Sequence, residues 1–106
     1  MHKLDTLFLD RDGVINVKLD GQYVKNTDEF EFIKGAQVAI SKLSKIFNYI
    51  IVITNQQGIA KRIMSDKDLD ALHEHMLLEL EKNGGVIDKI YYCPHLSSEN
   101  CNCRKP

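Results

Sequence analysis

Tyr49-Ile50-Ile51-Val52-Ile53-Thr54-Asn55 is the stretch on which the fold turns. Four β-branched residues follow an aromatic without a polar interruption, the pattern of a strand covered on both faces in a parallel sheet. Parallel strands need long crossovers, and the flanking sequence supplies helical ones. Upstream, from Gly35, Val38, Ala39, Ile40, Leu43, Ile46 and Phe47 recur at spacings of three and four, one apolar helical face. Downstream, Leu69, Leu72, Met76, Leu77 and Leu80 form a second stripe, opened by Ser65 with Asp68 three residues on and closed by Asn83-Gly84-Gly85. Working outward again, residues 5–10 read as a buried strand and Ile87-Asp88-Lys89-Ile90-Tyr91-Tyr92 as a third, shorter one. The expected architecture is therefore α/β: a Rossmann-like, doubly wound parallel sheet with right-handed crossovers and helices on both faces.

Such sheets bind ligands beyond the carboxyl ends of their strands, and two polar clusters fall there. The first strand runs into Asp10-Arg11-Asp12-Gly13. Gly13 permits the turn that brings Asp12 beside Asp10. One carboxylate can then attack phosphorus and form an aspartyl-phosphate while the other exchanges a proton with the leaving group. The bland alternative is a strand-ending aspartate in a tight turn. The second cluster, Thr54-Asn55, can donate hydrogen bonds to a phosphoryl oxygen, or it can simply satisfy a local turn. Residues 17–32 are polar and include Gly21 and Asn26, which makes them a long connection near the first cluster.

The 106 residues fit at most one domain, with 43% apolar residues for a core and 27% charged. A formal net charge of −1 with no long basic run argues against electrostatic nucleic-acid or membrane-surface binding. No apolar run is long enough to cross a bilayer, and Asp5, Asp10 and Asp12 interrupt the N-terminus, so a cytoplasmic location is expected. The partner expected is a small phosphorylated molecule, and the protein is expected to be a monomer. All three cysteines fall between positions 93 and 103. Cys93, His95, Cys101 and Cys103 make a Cys₃His set suited to a closed, structural tetrahedral zinc site; three free thiols near a chance histidine are the alternative. Arg104-Lys105-Pro106 follows at once, so a zinc-clamped loop would fix two cations that are otherwise a solvated tail. His73 and His75 of the second helix read as structural or solvated residues, and His2 carries no signal.

Taken together, Leu9-Asp10-Arg11-Asp12-Gly13-Val14-Ile15-Asn16, Ile53-Thr54-Asn55-Gln56-Gln57-Gly58-Ile59-Ala60 and Cys93-Pro94-His95…Cys101-Asn102-Cys103-Arg104-Lys105-Pro106 resemble the haloacid dehalogenase superfamily of phosphatases. The similar branch contains D-glycero-D-manno-heptose 1,7-bisphosphate phosphatases and histidinol-phosphate phosphatases. The resemblance implies that Asp10 is the nucleophile and Asp12 the proton donor and acceptor, with Thr54 and Lys105 stabilising the phosphoryl group. Substrate contacts are implied for Arg11, Asp20, Gly21, Gln22, Tyr23, Thr54, Asn55, Gln56, Gln57, Arg104 and Lys105. Mg²⁺ is implied on the Asp10 carboxylate and the Asp12 backbone carbonyl, and zinc on Cys93, His95, Cys101 and Cys103.

Gly21-Gln22-Tyr23-Val24, Phe30-Glu31-Phe32-Ile33 and Gly58-Ile59-Ala60 look like the heptose enzymes, whereas the short spacer from His95 to Cys101 looks like the histidinol-phosphate enzymes. No large insertion follows the first motif or the second helix, so a minimal cap is implied, leaving specificity to loops 17–32, 55–64 and 93–104. Family members continue to a further strand whose acidic motif completes the magnesium site; Asp66, Asp68, Asp70 and Asp88 are misplaced to substitute. Residues 1–106 are thus expected to be one phosphatase domain, incomplete at its C-terminus, with zinc loop 93–103. The expected activity is Mg²⁺-dependent hydrolysis of a sugar phosphate. The rivals are a silent zinc-stabilised binding module and, from the same chemistry, a phosphotransferase.

Overall fold

In the computed structural model, residues 4–95 are described. Strand β1 (Leu4–Leu9) is followed by a long connection holding one 3₁₀ turn (Thr27–Glu29), then helix α1 (Ala36–Leu43), strand β2 (Phe47–Asn55), helix α2 (Asp66–Glu81) and strand β3 (Lys89–Cys93). The sheet is parallel throughout in the order β1-β2-β3. Leu9 lies opposite Val52 and Thr54 opposite Tyr92, so the three strands end together. Asp88 extends the pairing at the opposite end, where its Oδ2 accepts from the Ile50 amide at 2.7 Å and its own amide donates to the Ile50 carbonyl at 2.8 Å.

Helix α2 starts where the sequence reading puts it. The Ser65 hydroxyl accepts from the Asp68 amide at 3.1 Å and the Asp68 carboxylate accepts from the Ser65 amide at 2.9 Å, a reciprocal cap that satisfies two otherwise orphaned donors. Leu69, Leu72, Met76 and Leu80 are fully buried against Ile50 and Val52 of the sheet and Ile40 of α1. Helix α1 differs from expectation. It ends at Leu43, Phe47 already belongs to β2, and only Ala36 and Ile40 of its residues are buried, while Val38 is 54% exposed. The helical spacing continues through Ile46 and Phe47 although the chain turns after Leu43.

A second difference concerns the sheet. Ile50, Val52 and Thr54 are buried, but Phe8, Tyr49 and Tyr91 on the opposite face are 60%, 53% and 52% exposed. Among the described residues both helices lie on one face, and the double winding is not realised. The cause is topological: strand order β1-β2-β3 always steps the same way, and right-handed crossovers stepping one way fall on one side.

Candidate active site

Beyond the carboxyl ends of the strands lies a cavity of about 720 Å³. Asp10 and Asp12 enter it from the segment after β1, and Thr54, Asn55 and Gln57 from the end of β2. Gly21, Gln22 and Tyr23 of the long connection form another wall, joined by Lys18, Leu19, Val24 and Lys61. The turn that doubles Asp12 back needs Gly13, whose φ of +85° favours glycine. Its amide donates to the Asn16 carbonyl at 2.8 Å.

Asp12 is held more tightly than the sequence indicates. Its Oδ1 accepts from Arg11 Nη2 at 2.8 Å, Arg11 Nε at 3.2 Å and Asn16 Nδ2 at 2.9 Å, and its Oδ2 accepts from Gln56 Nε2 at 2.9 Å. Burial by itself pushes this carboxyl up. The Arg11 charge, with hydrogen bonds from Arg11, Asn16 and Gln56, outweighs it and holds the group below its ordinary value. Asp10 Oδ1 accepts from the Arg11 amide at 2.8 Å. Gln56 Nε2 also donates to Thr54 Oγ1 at 2.8 Å, so the threonine hydroxyl keeps its own proton to donate into the cavity it lines.

Arg11 and Gln56 therefore stand elsewhere than the sequence reading put them. Both side chains are buried and turned onto Asp12, and neither lines the cavity. Asp20 does not line the cavity either, whereas Gly21, Gln22, Tyr23, Asn55 and Gln57 do. Cys101, Cys103, Arg104 and Lys105 lie outside the described residues. Lys18 and Lys61 of the lining carry no motif in the sequence; Lys61 Nζ sits 5.2 Å from the centroid of the Tyr23 ring, a cation held over an aromatic wall.

The buried polar side chains of the described residues are Arg11, Asn16, Thr54, Gln56 and His73, and all five belong to one network centred on Asp12. Arg11 Nη1 meets His73 Nε2 at 3.1 Å. Burial first and the Arg11 cation second push His73 down to about 4, against an opposing pull from Asp12. Asn16 Oδ1 is the one buried side-chain polar atom left without a partner among the described residues. Rotating the amide would face that oxygen to the Asp12 carboxylate, so the orphan acceptor is the cheaper arrangement.

The cavity's hard oxygen donors suit a magnesium ion, which takes one or two carboxylates and keeps several waters. The Asp12 carboxylate is already committed to Arg11, Asn16 and Gln56, while Asp10 also lines the cavity. Asp66 and Asp88 are engaged elsewhere, with the Tyr92 hydroxyl at 2.9 Å and with the Ile50 amide. Among the described residues no group of three or more metal-ligating side chains is gathered. Cys93 Sγ lies 3.6 Å from His95 Nδ1, and Cys93 is disulfide-bonded in this structure. No described helix is long and apolar enough to cross a membrane.

No protein-family model matches the chain. It is 47% identical over 100 residues to the D-glycero-alpha-D-manno-heptose-1,7-bisphosphate 7-phosphatase of Mycobacterium tuberculosis, covering 94% of this chain and 53% of that protein. The enzyme of the same name from Campylobacter jejuni is 47% identical over 108 residues, covering 98% of this chain and 58% of its own. Among solved structures, the D,D-heptose 1,7-bisphosphate phosphatase of B. bronchiseptica, complexed with magnesium and phosphate, superimposes with a TM-score of 0.90 at 37% identity, over 96% of this chain and 56% of that one. The chain thus spans about half the length of the relatives it matches.

Proposed function

We propose, from its similarity to the heptose-1,7-bisphosphate 7-phosphatases, that the chain carries the phosphoryl-transfer site of a haloacid dehalogenase-type phosphatase acting on a heptose bisphosphate. The observation that carries this reading is the convergence of Asp10, Asp12 and Thr54 on one cavity, with Asp12 locked by Arg11, Asn16 and Gln56.

Asp10 is the nucleophile. Its carboxylate oxygen attacks phosphorus, the bond from phosphorus to the sugar oxygen breaks, and an aspartyl-phosphate forms while the departing oxygen takes a proton from Asp12. Asp12, now a carboxylate, removes a proton from water, which attacks the phosphorus of the aspartyl-phosphate and releases inorganic phosphate and Asp10. The lowered Asp12 pKa keeps the group ionised before substrate arrives. A dianionic phosphoryl group arriving beside it favours the protonated form needed for the acid half. Thr54 donates to a phosphoryl oxygen, and Gln56 keeps it aimed. A magnesium ion, held by the Asp10 carboxylate and the Asp12 carbonyl, would supply charge neutralisation at the transferring oxygens. Lys105 and Arg104 are proposed as the further cations for the transferring group and the substrate. Gly21, Gln22, Tyr23, Asn55 and Gln57 form the substrate rim.

Zinc on Cys93, His95, Cys101 and Cys103 is part of the proposal, and one distance in the described part is compatible with it. A sulfur at about 2.3 Å and a nitrogen at about 2.05 Å from a tetrahedral zinc would be about 3.6 Å apart. The separation of Cys93 Sγ and His95 Nδ1 is 3.6 Å. The disulfide at Cys93 competes for the same sulfur. Zinc analysis paired with a free-thiol count separates the two: one bound zinc and no disulfide supports the assignment, and a metal-free disulfide overturns it.

The activity test is phosphate release from the α- and β-anomers of D-glycero-D-manno-heptose 1,7-bisphosphate with Mg²⁺, with histidinol phosphate as the competitor. Turnover of a heptose anomer, abolished in Asp10→Asn, is expected. Turnover that survives in Asp10→Asn, or none from folded protein, overturns the reading.

A further inference from the structure

We propose that His73 is a positioning residue for Asp12, acting through Arg11 as a neutral hydrogen-bond acceptor; the proposal rests on the role of Asp12 given above. Arg11 carries only donors, is fully buried, and directs both Nε and Nη2 at the same oxygen, Asp12 Oδ1. Two bonds converging on one atom form a pivot and not a two-point fork, so they leave the guanidinium free to swing about that oxygen. The third point that stops the swing is Nη1 on His73 Nε2 at 3.1 Å.

Because arginine cannot accept, Nε2 must present its lone pair, which puts the ring proton on Nδ1 and keeps the imidazole neutral. A protonated ring would set two cations against each other at that distance in a buried site. Packing holds the ring in place: helix α2 brings His73 into the core beside Leu69, Met76 and Leu80, and the Tyr92 ring of β3 lies 6.2 Å away, centroid to centroid. An apolar residue would fill this position on the stripe as well. What only an acceptor supplies is the third point on Arg11, and so the aim of the carboxylate that Arg11 holds.

His73→Leu removes the acceptor and His73→Gln restores one at a similar reach. The kinetic readout is kcat/KM, which covers formation of the aspartyl-phosphate, on two substrates. D-glycero-D-manno-heptose 1,7-bisphosphate has an alkoxide leaving group that needs a proton, and p-nitrophenyl phosphate has one that does not. Loss of general-acid positioning lowers the first about 100-fold in His73→Leu and leaves the second within about threefold, with recovery in His73→Gln. An equal fall on both substrates, or no fall, overturns the proposal.

A spectroscopic arm stands apart from catalysis and decides the matter even where the phosphatase reading fails. In ¹⁵N spectra of the wild-type chain at pH 7.5, His73 shows an unprotonated Nε2. The Arg11 Nε–H gives a slowly exchanging signal in wild type and His73→Gln that is lost in His73→Leu. A protonated Nε2, or an Arg11 signal indifferent to the leucine, refutes the positioning role.

Discussion

Acidification from pH 7.5 to pH 5.0 should weaken the fold through one residue, His73. Its imidazole is pushed down to about 4 in the folded chain from an ordinary 6.5, because it is buried and faces the Arg11 cation. The groups around it are Arg11 and Asp12 from the segment after β1, and Tyr92 of β3 with its partner Asp66. A lowered histidine pKa means that the unfolded chain takes up the proton first. The stabilisation is therefore complete above about pH 6.5, is lost as pH falls below it, and levels off below about pH 4.

The full gap is worth about 3 kcal/mol, of which about 2 kcal/mol has gone by pH 5.0. Carboxylates with lowered values act below this window: Asp12 beneath its ordinary 3.8, and the surface residues Glu29 and Glu79 beneath 4.5. Equilibrium urea unfolding at the two pH values is the assay, and the midpoint should fall by roughly 1–2 M. His73→Gln is less stable at both pH values, but its midpoint should lose most of that dependence. A wild-type midpoint that does not move, or a variant that moves as far, would show that His73 is not held neutral by Arg11.

Three further outcomes are expected. A methyl group on Gly58 would stand 2.9 Å from Met64 Cε and 3.2 Å from Tyr23 Cγ. The methionine end can yield but the tyrosine lines the cavity, so Gly58→Ala should cost about 1–2 kcal/mol in thermal unfolding and raise KM more than it lowers kcat. Leu72→Ala, at a site with no exposure between α2 and the sheet, should cost about 2–5 kcal/mol by urea titration. Gln56→Leu keeps the bulk but cuts the link between Thr54 and Asp12; kcat should fall at least tenfold with KM nearly unchanged in steady-state assays, reflecting partial loss of general-acid aim.

The strands and α2 were legible because their signals are local. A β-branched run, an apolar stripe and a serine–aspartate cap each act within a few residues of themselves. The end of α1 was not, because Ile46 and Phe47 keep helical spacing while no glycine or proline marks the turn at Ser44-Lys45. Nor could the run 49–53 say what covers each side of it, since coverage depends on where the crossovers fall. At the site, sequence placed Asp10, Asp12 and Thr54 at neighbouring strand ends, and the structure puts them on one cavity. It could not say which way Arg11 and Gln56 turn, since a polar residue beside a reactive one can face the ligand or brace its neighbour. For His73 there was a usable signal: Leu69, His73, Met76 and Leu80 follow spacings of four, three and four, which puts the histidine on the buried stripe.

The aromatic face opposite the helices bears on how the folding of this chain should be measured. Dyes such as anilinonaphthalene sulfonate brighten on apolar surface, and their binding is commonly taken to mark a loosened, molten state. Here Phe8, Tyr49 and Tyr91 present such surface among the described residues, so the ordered chain should itself brighten the dye. Loss of order must be followed instead through the packed aromatics, where near-ultraviolet dichroism registers Phe30 against Phe32, with ring centroids 5.0 Å apart and edge to face. The two readouts should separate on unfolding: the dichroism collapses with the packing, while the dye signal falls from a high native value.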